Sequence, residues 1–334
     1  MPRNARIDAP GALQHIICRG IERRKIFLDD ADRDQFVDRL GSILKKTATS
    51  CYAWALVPNH FHLLVRTGKE PLSAVMRRLL TGYAVWFNRR HHRHGHLFQN
   101  RYKSILCQEE PYLLELVRYI HLNPLRARIV KGFNGLADYP YCGHSAILRK
   151  KEQKWQDITY VLELFGGKQR IARQRYGDFI QDGIAEGKRP DLTGGGLVRS
   201  MGGWSSVKAM RKANRHEMSD ERILGDGDFV EGVLKECEER MDRRTEYQAR
   251  GYVLKKIGKR VEETLGVNYG EVRGPGKERW KVEARDLYCY WAVEEVGYSM
   301  TEVGRELGIR QPTVSIAAKR GREMAKERGY RLAK

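Results

Sequence analysis

The chain has no long apolar segment. None of its continuous apolar runs approaches the ~18 residues that a helix needs to span a bilayer, so no membrane-spanning helix is expected. Residues 1–12 are polar and are broken by proline and glycine, a pattern that argues against a secretory signal. We therefore expect a cytoplasmic protein that is not embedded in a membrane.

Short cysteine spacings are also absent. The six cysteines are scattered along the chain, and because no Cys-x-x-Cys pair occurs, we expect neither a zinc ribbon nor a dithiol redox motif. The glycine runs 194–196 and 202–203 are not followed by Gly-Lys-Ser/Thr, so neither is a phosphate-binding loop. These runs indicate a domain boundary or a mobile loop instead.

Acidic residues are few relative to basic ones. The 334 residues include 62 Lys and Arg against 42 Asp and Glu, which gives a formal net charge of +20. Such an excess favours a polyanionic partner, most simply nucleic acid. Within residues 66–103, Glu70 is the only acid beside the basic residues Arg66, Lys69, Arg77, Arg78, Arg89, Arg90, Arg93, Arg101 and Lys103. A solvated basic face or contact with a membrane surface would give the same pattern.

Two histidines, His60 and His62, stand out within the apolar residues 55–65. The segment is rich in strand-forming residues, and Pro58 and Asn59 interrupt it, which predicts two strands or one bent strand. Because side chains alternate along a strand, both imidazoles share one face. The other face then carries Phe61, Leu63 and Val65. Two imidazoles side by side suit a metal or a phosphate, although they are also common as polar residues on a wet surface.

The periodicity of residues 1–130 predicts alternating strands and helices. Strands are expected at 13–21, 51–57, 60–65 and 102–107, and helices at 30–46, 71–88 and 111–122. The last helix must end near Asn123 because Pro124 follows. This order predicts the α+β class, with a ferredoxin-like antiparallel sheet and helices on one face.

The third predicted helix carries Tyr119 and Asn123, which are four residues apart and share a helix face. An apolar stripe of Leu113, Leu116 and Ile120 lies beside them. If this helix lies near the histidine face of the sheet, Asn123 can offer a carbonyl oxygen as a third metal ligand. Tyr119 then presents its hydroxyl one turn away, although a tyrosine beside an apolar stripe is more often a core-edge residue.

The last fifty residues predict a helix-turn-helix. A helix is expected at 282–296, and Ser299 with Glu302 forms a capping box for the next helix, which stops at Gly308. A second helix follows through Lys326, as in DNA-binding modules. Its predicted DNA contacts are Gln311, Thr313 and Ser315 to base edges, with Lys319, Arg320 and Arg322 nearer the backbone. Two helices joined by glycine also occur in α domains of other functions.

Three ordered segments resemble a known family. They are Pro-Asn-His-Phe-His-Leu-Leu-Val at 58–65, Gly-His-Leu-Phe-Gln-Asn-Arg-Tyr-Lys at 95–103 and Tyr-Ile-His-Leu-Asn-Pro-Leu-Arg-Ala at 119–127. Together they resemble the single-tyrosine HUH transposases, and most closely the REP-associated tyrosine transposases with their IS200-like transposase domain. Residues 299–322 resemble, more loosely, the DNA-binding domain of the replication initiator DnaA.

The resemblance implies a domain organisation. Residues 5–145 would be an HUH nuclease domain with the HUH endonuclease fold, and residues 281–330 a helix-turn-helix DNA-binding domain. Residues 146–280 would be a helical linker region of unknown role. Relatives of this kind occur as monomers and as homodimers, and both states are open here.

The resemblance also implies a chemistry. Such proteins cut single-stranded DNA near hairpins, and duplex DNA would bind through the C-terminal domain. By the same resemblance, His60, His62 and Asn123 hold Mg²⁺ or Mn²⁺, and Tyr119 attacks the scissile phosphate to form a 5′-phosphotyrosine. The released 3′-hydroxyl can later rejoin the strand. DNA phosphates would then be tracked by Arg66, Arg77, Arg78, Arg89, Arg90, Arg101 and Lys103.

Two other functions fit the same residues. A regulator could bind hairpins or promoters without cutting, although it would not need His60, His62, Tyr119 and Asn123 together. A histidine-based phosphodiesterase that uses water would not depend on Tyr119. A zinc site in the loop with His91, His92, His94 and His96 is disfavoured because no cysteine is near.

Overall fold

Among the residues that the structure describes, five strands form one sheet. They are β1 Leu13–Arg19, β2 Ser50–Val57, β3 His60–Arg66, β4 Lys103–Cys107 and β5 Ile223–Leu224. The order across the sheet is β2-β3-β1-β4-β5, with the first four strands antiparallel to their neighbours and β5 parallel to β4. The predicted α+β, ferredoxin-like arrangement is confirmed, and β5 is an addition at its edge.

This computed structural model describes residues 7, 11–68, 70–187, 189, 192, 220–273 and 276–333. Lys69 and the glycine runs at 194–196 and 202–203 lie outside the described residues. The chain divides into two compact units, residues 1–232 and 233–334.

The hairpin that carries the histidine pair turns at Pro58 and Asn59, so the apolar segment forms two strands. Strand β3 pairs with β1 on its other side, where Arg19 lies opposite His60 and Ile17 opposite His62. The register therefore places alternate residues of β1 on the same face as the two histidines.

One face of the sheet is covered by α1 Asp30–Thr47 and α2 Leu72–Arg90. The N-terminus of α1 is capped by Asp29, whose carboxylate accepts the Asp32 amide hydrogen at 3.0 Å. The apolar stripes of both helices join the odd-numbered residues of β3 in a single core. Its members include Phe36, Leu40, Phe61, Leu63, Val65, Leu79, Tyr83 and Phe87.

The opposite face is covered by α3 Glu109–His121, which ends just before the short helix α4 Asn123–Arg126. Pro124 stands in the first turn of α4, where a missing amide hydrogen is tolerated. The buried residues Leu116, Val117 and Ile120 hold α3 against Leu64 and the small residues of β2. This docking brings the C-terminal end of α3 to the histidine face.

Within the described part of the first unit, four more helices extend this second layer: α5 Gly132–Asp138, α6 Gly143–Ile147, α7 Ile158–Glu163 and α8 Gln169–Asp182. Their apolar side chains, such as Ile147, Val161 and Tyr176, belong to the same core as α3. Helices therefore cover both faces, whereas the sequence predicted helices on one face only. Residues 146–182, predicted as part of a linker, contribute to this core.

The second unit is helical. Its elements are α9 Gly227–Ala249, which begins before the boundary, then α10 Leu254–Leu265, α11 Tyr269–Val272, α12 Arg279–Tyr290 with a π-helical extension Trp291–Val296, α13 Met300–Leu307 and α14 Gln311–Arg328. The capping box is present, since the Ser299 hydroxyl accepts from the Glu302 amide at 3.2 Å. The α13 helix ends at Gly308, whose φ of 66° is left-handed.

Helices α12 and α14 lie in close contact. A Cβ at Gly321 would come within 1.9 Å of the carbonyl oxygen of Asp286, so only glycine allows the two backbones to approach this closely. Among the described residues, no helix is both long and apolar enough to cross a bilayer.

Candidate active site

A cavity of about 510 Å³ opens on the face of the sheet that carries the histidine pair. It is lined by Ile17, Arg19, His60, His62, Gln99, Asn100, Arg101, Lys103 and Tyr119. These residues come from β1, β3, β4, the loop before β4, and α3. The cavity is therefore formed by the packing of α3 on the sheet.

The two histidines lie side by side with their ring centroids 5.1 Å apart. Each has a hydrogen-bonding partner at Nδ1: Asn59 Oδ1 lies 2.7 Å from His60 Nδ1, and His15 Nε2 lies 3.0 Å from His62 Nδ1. His62 is buried, and His60 is half-buried at the cavity rim. The alternation expected from the sequence is thus present in β3.

Burial keeps both imidazoles neutral. The pKa of His60 is lowered to about 4, chiefly by burial and then by the positive charge of Arg19. The pKa of His62 is lowered well below its usual value by burial, with His15, His60 and Arg19 adding to the effect. A neutral imidazole retains the nitrogen lone pair that a metal ion requires.

Tyr119 lies against the histidine pair. Its ring meets that of His62 edge-on, with 5.7 Å between centroids and an interplanar angle of 80°. It makes a similar contact with His15, at 5.9 Å and 75°. The guanidinium of Arg126 lies 5.3 Å from the centre of the Tyr119 ring. The phenol is half-buried and lines the cavity.

Asn123 occupies a different position from Tyr119. Its side-chain nitrogen donates to the carbonyl oxygen of Tyr119 at 3.0 Å, and it is not among the residues that line the cavity. Arg126 donates to the same carbonyl at 3.3 Å. The structure therefore brings together Tyr119, His60 and His62, with Asn123 bound to the adjoining backbone.

The side chains at the cavity limit how a metal ion could be held. Within the part of the chain that the structure describes, no group of three or more His, Cys, Asp or Glu side chains could hold one. The zinc alternative at 91–96 gains no support, because His91 Nε2 lies 2.8 Å from the Asp32 carboxylate. At the cavity, His60 and His62 are the imidazole donors, and oxygen ligands would have to come from an amide, water or a phosphate.

The sequence of this segment matches a known family. Residues 11–123 match the family described as "Transposase IS200 like". We call this segment the transposase domain after that match. The match contains β1 to β4, α1 to α3 and all four residues of the predicted site, and it confirms the resemblance drawn from the three ordered segments.

Two solved structures resemble parts of this chain. A REP-associated tyrosine transposase, solved bound to a REP hairpin, aligns with 47% of this chain and 90% of its own at 17% identity, with a TM-score of 0.38. A candidate transposase from Deinococcus radiodurans R1 aligns with 36% of this chain and 94% of its own at 19% identity, with a TM-score of 0.26. No curated protein matches the chain.

Two of the seven basic residues predicted to track DNA, Arg101 and Lys103, line the cavity of the transposase domain. Arg77 and Arg89 are exposed on α2 and do not line it.

The other three basic residues of the set form ion pairs away from the cavity. Arg66 pairs with Glu109 and donates to the Tyr52 hydroxyl at 2.8 Å. Arg78 lies 3.0 Å from Glu70. Arg90 pairs with Asp32 and with Asp29 at 2.7 Å, which lowers the pKa of Asp29 to about 2, chiefly through the hydrogen bond from Arg90.

Sequence reasoning missed four residues at or beside the cavity. Arg19, Gln99 and Asn100 line it, and His15 lies behind His62. The signal for His15 and Arg19 is the alternation along β1, but it becomes useful only once the pairing of β1 with β3 is known. Gln99 and Asn100 lie within the second family segment, 95–103.

In the second unit, Gln311, Thr313 and Ser315 are exposed in the first turns of α14, and Lys319 is half-buried. Arg320 instead forms a two-pronged ion pair with Asp286 of α12, with both N–O distances at 2.8 Å. Arg322 pairs likewise with Glu294, at 2.7 Å for its Nε. The family match ends at residue 123, so the helix-turn-helix DNA-binding function stays a prediction.

Proposed function

We propose that this chain is a metal-dependent endonuclease and strand-transferase that cuts single-stranded DNA near hairpins through a 5′-phosphotyrosine on Tyr119. The observation that carries the proposal is the edge-on contact between Tyr119 and His62 in the transposase domain. A phenol in contact with a neutral imidazole of the histidine pair, beside a basic cavity, is the arrangement that this chemistry needs.

His60 and His62 are the proposed metal ligands, with the Asn123 amide oxygen as a third. The two histidine donors fit Mn²⁺ or Mg²⁺, because both Nδ1 atoms have partners and both imidazoles are neutral. Imidazole suits Mn²⁺ better than Mg²⁺, which prefers oxygen. When bound, such an ion supplies Lewis-acid polarisation of the scissile phosphate.

Tyr119 is the proposed nucleophile. Its phenolic oxygen, after losing its proton, forms a bond to the scissile phosphorus while the bond from phosphorus to the 3′ oxygen breaks. The 3′ oxygen leaves and takes up a proton. Because the new phosphotyrosine ester retains the energy of the broken bond, the same or another 3′-hydroxyl can attack it and rejoin the strand.

The cationic residues of the cavity suit a DNA strand. Arg19, Arg101 and Lys103 lie around the histidine pair and are proposed to hold the phosphates that flank the scissile one. The concave shape of this basic cavity should favour single-stranded over duplex DNA, because a single strand can enter the cavity and a duplex cannot.

The C-terminal unit is proposed to bind duplex DNA in a sequence-specific way. Gln311, Thr313 and Ser315 are exposed at the start of α14, where a recognition helix reaches base edges in the major groove. This activity would direct the nuclease to chosen sites.

The nuclease is tested with end-labelled single-stranded hairpin DNA and Mn²⁺. We expect the wild-type protein to nick the DNA, and Tyr119→Phe to lose at least about 10³-fold in rate while binding the hairpin within a few-fold. Tyr112→Phe, on the same helix but outside the cavity, is the matched control and should keep full activity.

The outcomes separate the candidate functions. Cleavage that survives Tyr119→Phe would indicate a water-using phosphodiesterase. Tight hairpin binding by the wild-type protein without cleavage of any hairpin substrate would indicate a non-catalytic regulator.

A further inference from the structure

His15 lies behind His62 on the neighbouring strand. It is fully buried, and its Nε2 lies 3.0 Å from His62 Nδ1. The two rings are stacked, with centroids 5.3 Å apart and an interplanar angle of 24°. His15 does not line the cavity, so it is not placed to contact DNA or a metal ion itself.

The hydrogen bond between the two buried imidazoles contains one proton, and the position of that proton decides what His62 offers to the cavity. If His62 carries the proton on Nδ1, it donates to His15 and keeps a lone pair on Nε2. If His15 donates instead, the His62 proton is on Nε2, and His62 has no lone pair left for a metal ion.

His60 shows which alternative suits the site. Its Nδ1 faces Asn59 Oδ1 at 2.7 Å, and the Asn59 amide is oriented by its nitrogen, which donates to the Arg23 carbonyl oxygen at 3.2 Å. An amide oxygen can only accept, so His60 carries its proton on Nδ1 and keeps its lone pair on Nε2. A matching tautomer at His62 requires an acceptor at its Nδ1, and His15 Nε2 is in that position.

We infer that His15 is a positioning residue that accepts the Nδ1 proton of His62, so that the Nε2 lone pair of His62 is available to a divalent cation. The His15 ring also contacts the Tyr119 ring edge-on, with 5.9 Å between the ring centroids, and this contact helps to hold the phenol beside His62. Residues that orient a metal-binding histidine through its other nitrogen tune metal affinity without touching the ion. The inference rests on the proposed function, since it assumes that His62 is a ligand.

The tautomer can be measured directly in the unmodified protein. Long-range ¹H–¹⁵N correlation spectra of the full-length, metal-free chain report which ring nitrogen of each histidine carries the proton, with His62 assigned from its loss in His62→Ala. We expect His62 to be protonated on Nδ1. Protonation on Nε2 would overturn the inference, and this measurement does not depend on any variant of His15.

Two variants of His15 test the consequence for metal binding by titration calorimetry with Mn²⁺. His15→Phe keeps the ring but has no acceptor, and we expect it to weaken Mn²⁺ binding by about 10–100-fold. His15→Gln supplies an amide oxygen as acceptor and should bind Mn²⁺ within about threefold of the wild-type protein.

The results distinguish a failure of this inference from a failure of the proposed function. If folded His15→Phe binds Mn²⁺ as tightly as the wild-type protein does, the role of His15 is overturned, but the metal assignment is not. Absence of Mn²⁺ binding by the wild-type protein would overturn the metal assignment, and with it this inference. Equal weakening in His15→Phe and His15→Gln would show that His15 acts through packing and would also overturn it.

Discussion

The Tyr119 ring meets the His62 ring edge-on, with their centroids 5.7 Å apart. The two residues come from different layers, since His62 is on the sheet and Tyr119 is on the helix that covers it. Burial of Leu116, Val117 and Ile120 fixes the rotation of α3, which leaves Tyr119 at the edge of the apolar stripe and beside the cavity. The core of the second layer therefore positions the proposed nucleophile.

Mn²⁺ should stabilise the protein through His60 and His62. A ligand present at 100 times its Kd stabilises the folded state by about 2.7 kcal/mol, so the melting temperature of the transposase domain should rise by several degrees. The melting temperature of the double variant His60→Ala/His62→Ala should not rise when Mn²⁺ is added. In a separate measurement, EDTA should stop hairpin cleavage by the wild-type protein.

His94→Ala is the matched control for this measurement, because His94 is exposed in the loop before β4 and does not line the cavity. It should respond to Mn²⁺ as the wild-type protein does. A Mn²⁺ response lost in His94→Ala but kept in His60→Ala/His62→Ala would place the metal in the loop and contradict the proposed site.

The start of α14 should determine duplex binding. We expect Gln311→Ala/Thr313→Ala/Ser315→Ala to weaken binding to a duplex site, selected from random sequence, by at least about 10-fold, because each good base contact contributes about 1–3 kcal/mol. Hairpin cleavage should be unchanged. Thr301→Ala, exposed on α13, is the control and should bind normally. Equal loss of duplex binding and hairpin cleavage in the triple variant would refute this division of labour.

Arg320 should matter for stability because it pairs with the nearly buried carboxylate of Asp286, whose side chain is 8% exposed. Arg320→Ala leaves that charge without its two-pronged partner. We expect a loss of about 1–2 kcal/mol in unfolding free energy, below the value for fully buried pairs because half of Arg320 is exposed. Thermal melting should also show partial recovery in Arg320→Ala/Asp286→Asn, and no recovery would contradict this role of the pair.

His144 should make the first unit less stable in mild acid. Burial lowers its pKa to about 4, and its Nδ1 lies 2.7 Å from the Tyr176 hydroxyl. Because an unfolded histidine has a pKa near 6.5, the unfolded state binds the proton first as the pH falls below that value, and stability decreases until the pH reaches about 4. At pH 5 the loss is at most about 2 kcal/mol.

His144→Asn removes this titration and retains a hydrogen-bonding group near Tyr176. Urea unfolding at pH 7 and pH 5 should therefore show a smaller difference in the variant than in the wild-type protein. Burial is the first cause of the lowered pKa of the neighbouring His121, and His144 is the second, so the variant should also reduce the shift at His121, which changes the comparison in the same direction. An identical pH dependence in the two proteins would contradict the assignment.

Local patterns predicted the parts of the structure that depend on near neighbours. Strand alternation placed His60 and His62 on one face, and the sequence from Ser299 to Glu302 predicted a capping box that the structure contains. Both features involve residues within three positions of each other, so the sequence contains the whole cause. The family segments supplied the expectation that Tyr119 would join the histidines.

Ion pairs between distant elements could not be predicted in the same way. Arg66, Arg90 and Arg320 look like free cations in a basic sequence, but their partners Glu109, Asp29 and Asp286 reach them only after folding. The predicted DNA contacts within residues 66–103 therefore rest on charge alone, and Arg101 and Lys103 are the two of them that line the cavity.

The packing of the helices after α3 on the second face of the sheet could not be predicted for a related reason. Helices α5, α6 and α7 have only 7, 5 and 6 residues, so each gives a weak periodic signal on its own. Tyr176 illustrates the difficulty, since its hydroxyl lies 2.8 Å from His121 Nδ1 and 2.7 Å from His144 Nδ1. These contacts join three segments that are far apart in the chain.

The central claim is that Tyr119 becomes covalently attached to DNA. The wild-type protein is incubated with single-stranded hairpin DNA and Mn²⁺, denatured and digested with protease and nuclease, and its peptides are analysed by mass spectrometry. The account predicts a nucleotide joined through its 5′-phosphate to the peptide that contains Tyr119, and no adduct in Tyr119→Phe. Cleaved DNA with no adduct on any peptide, or with the adduct on another residue, would contradict it.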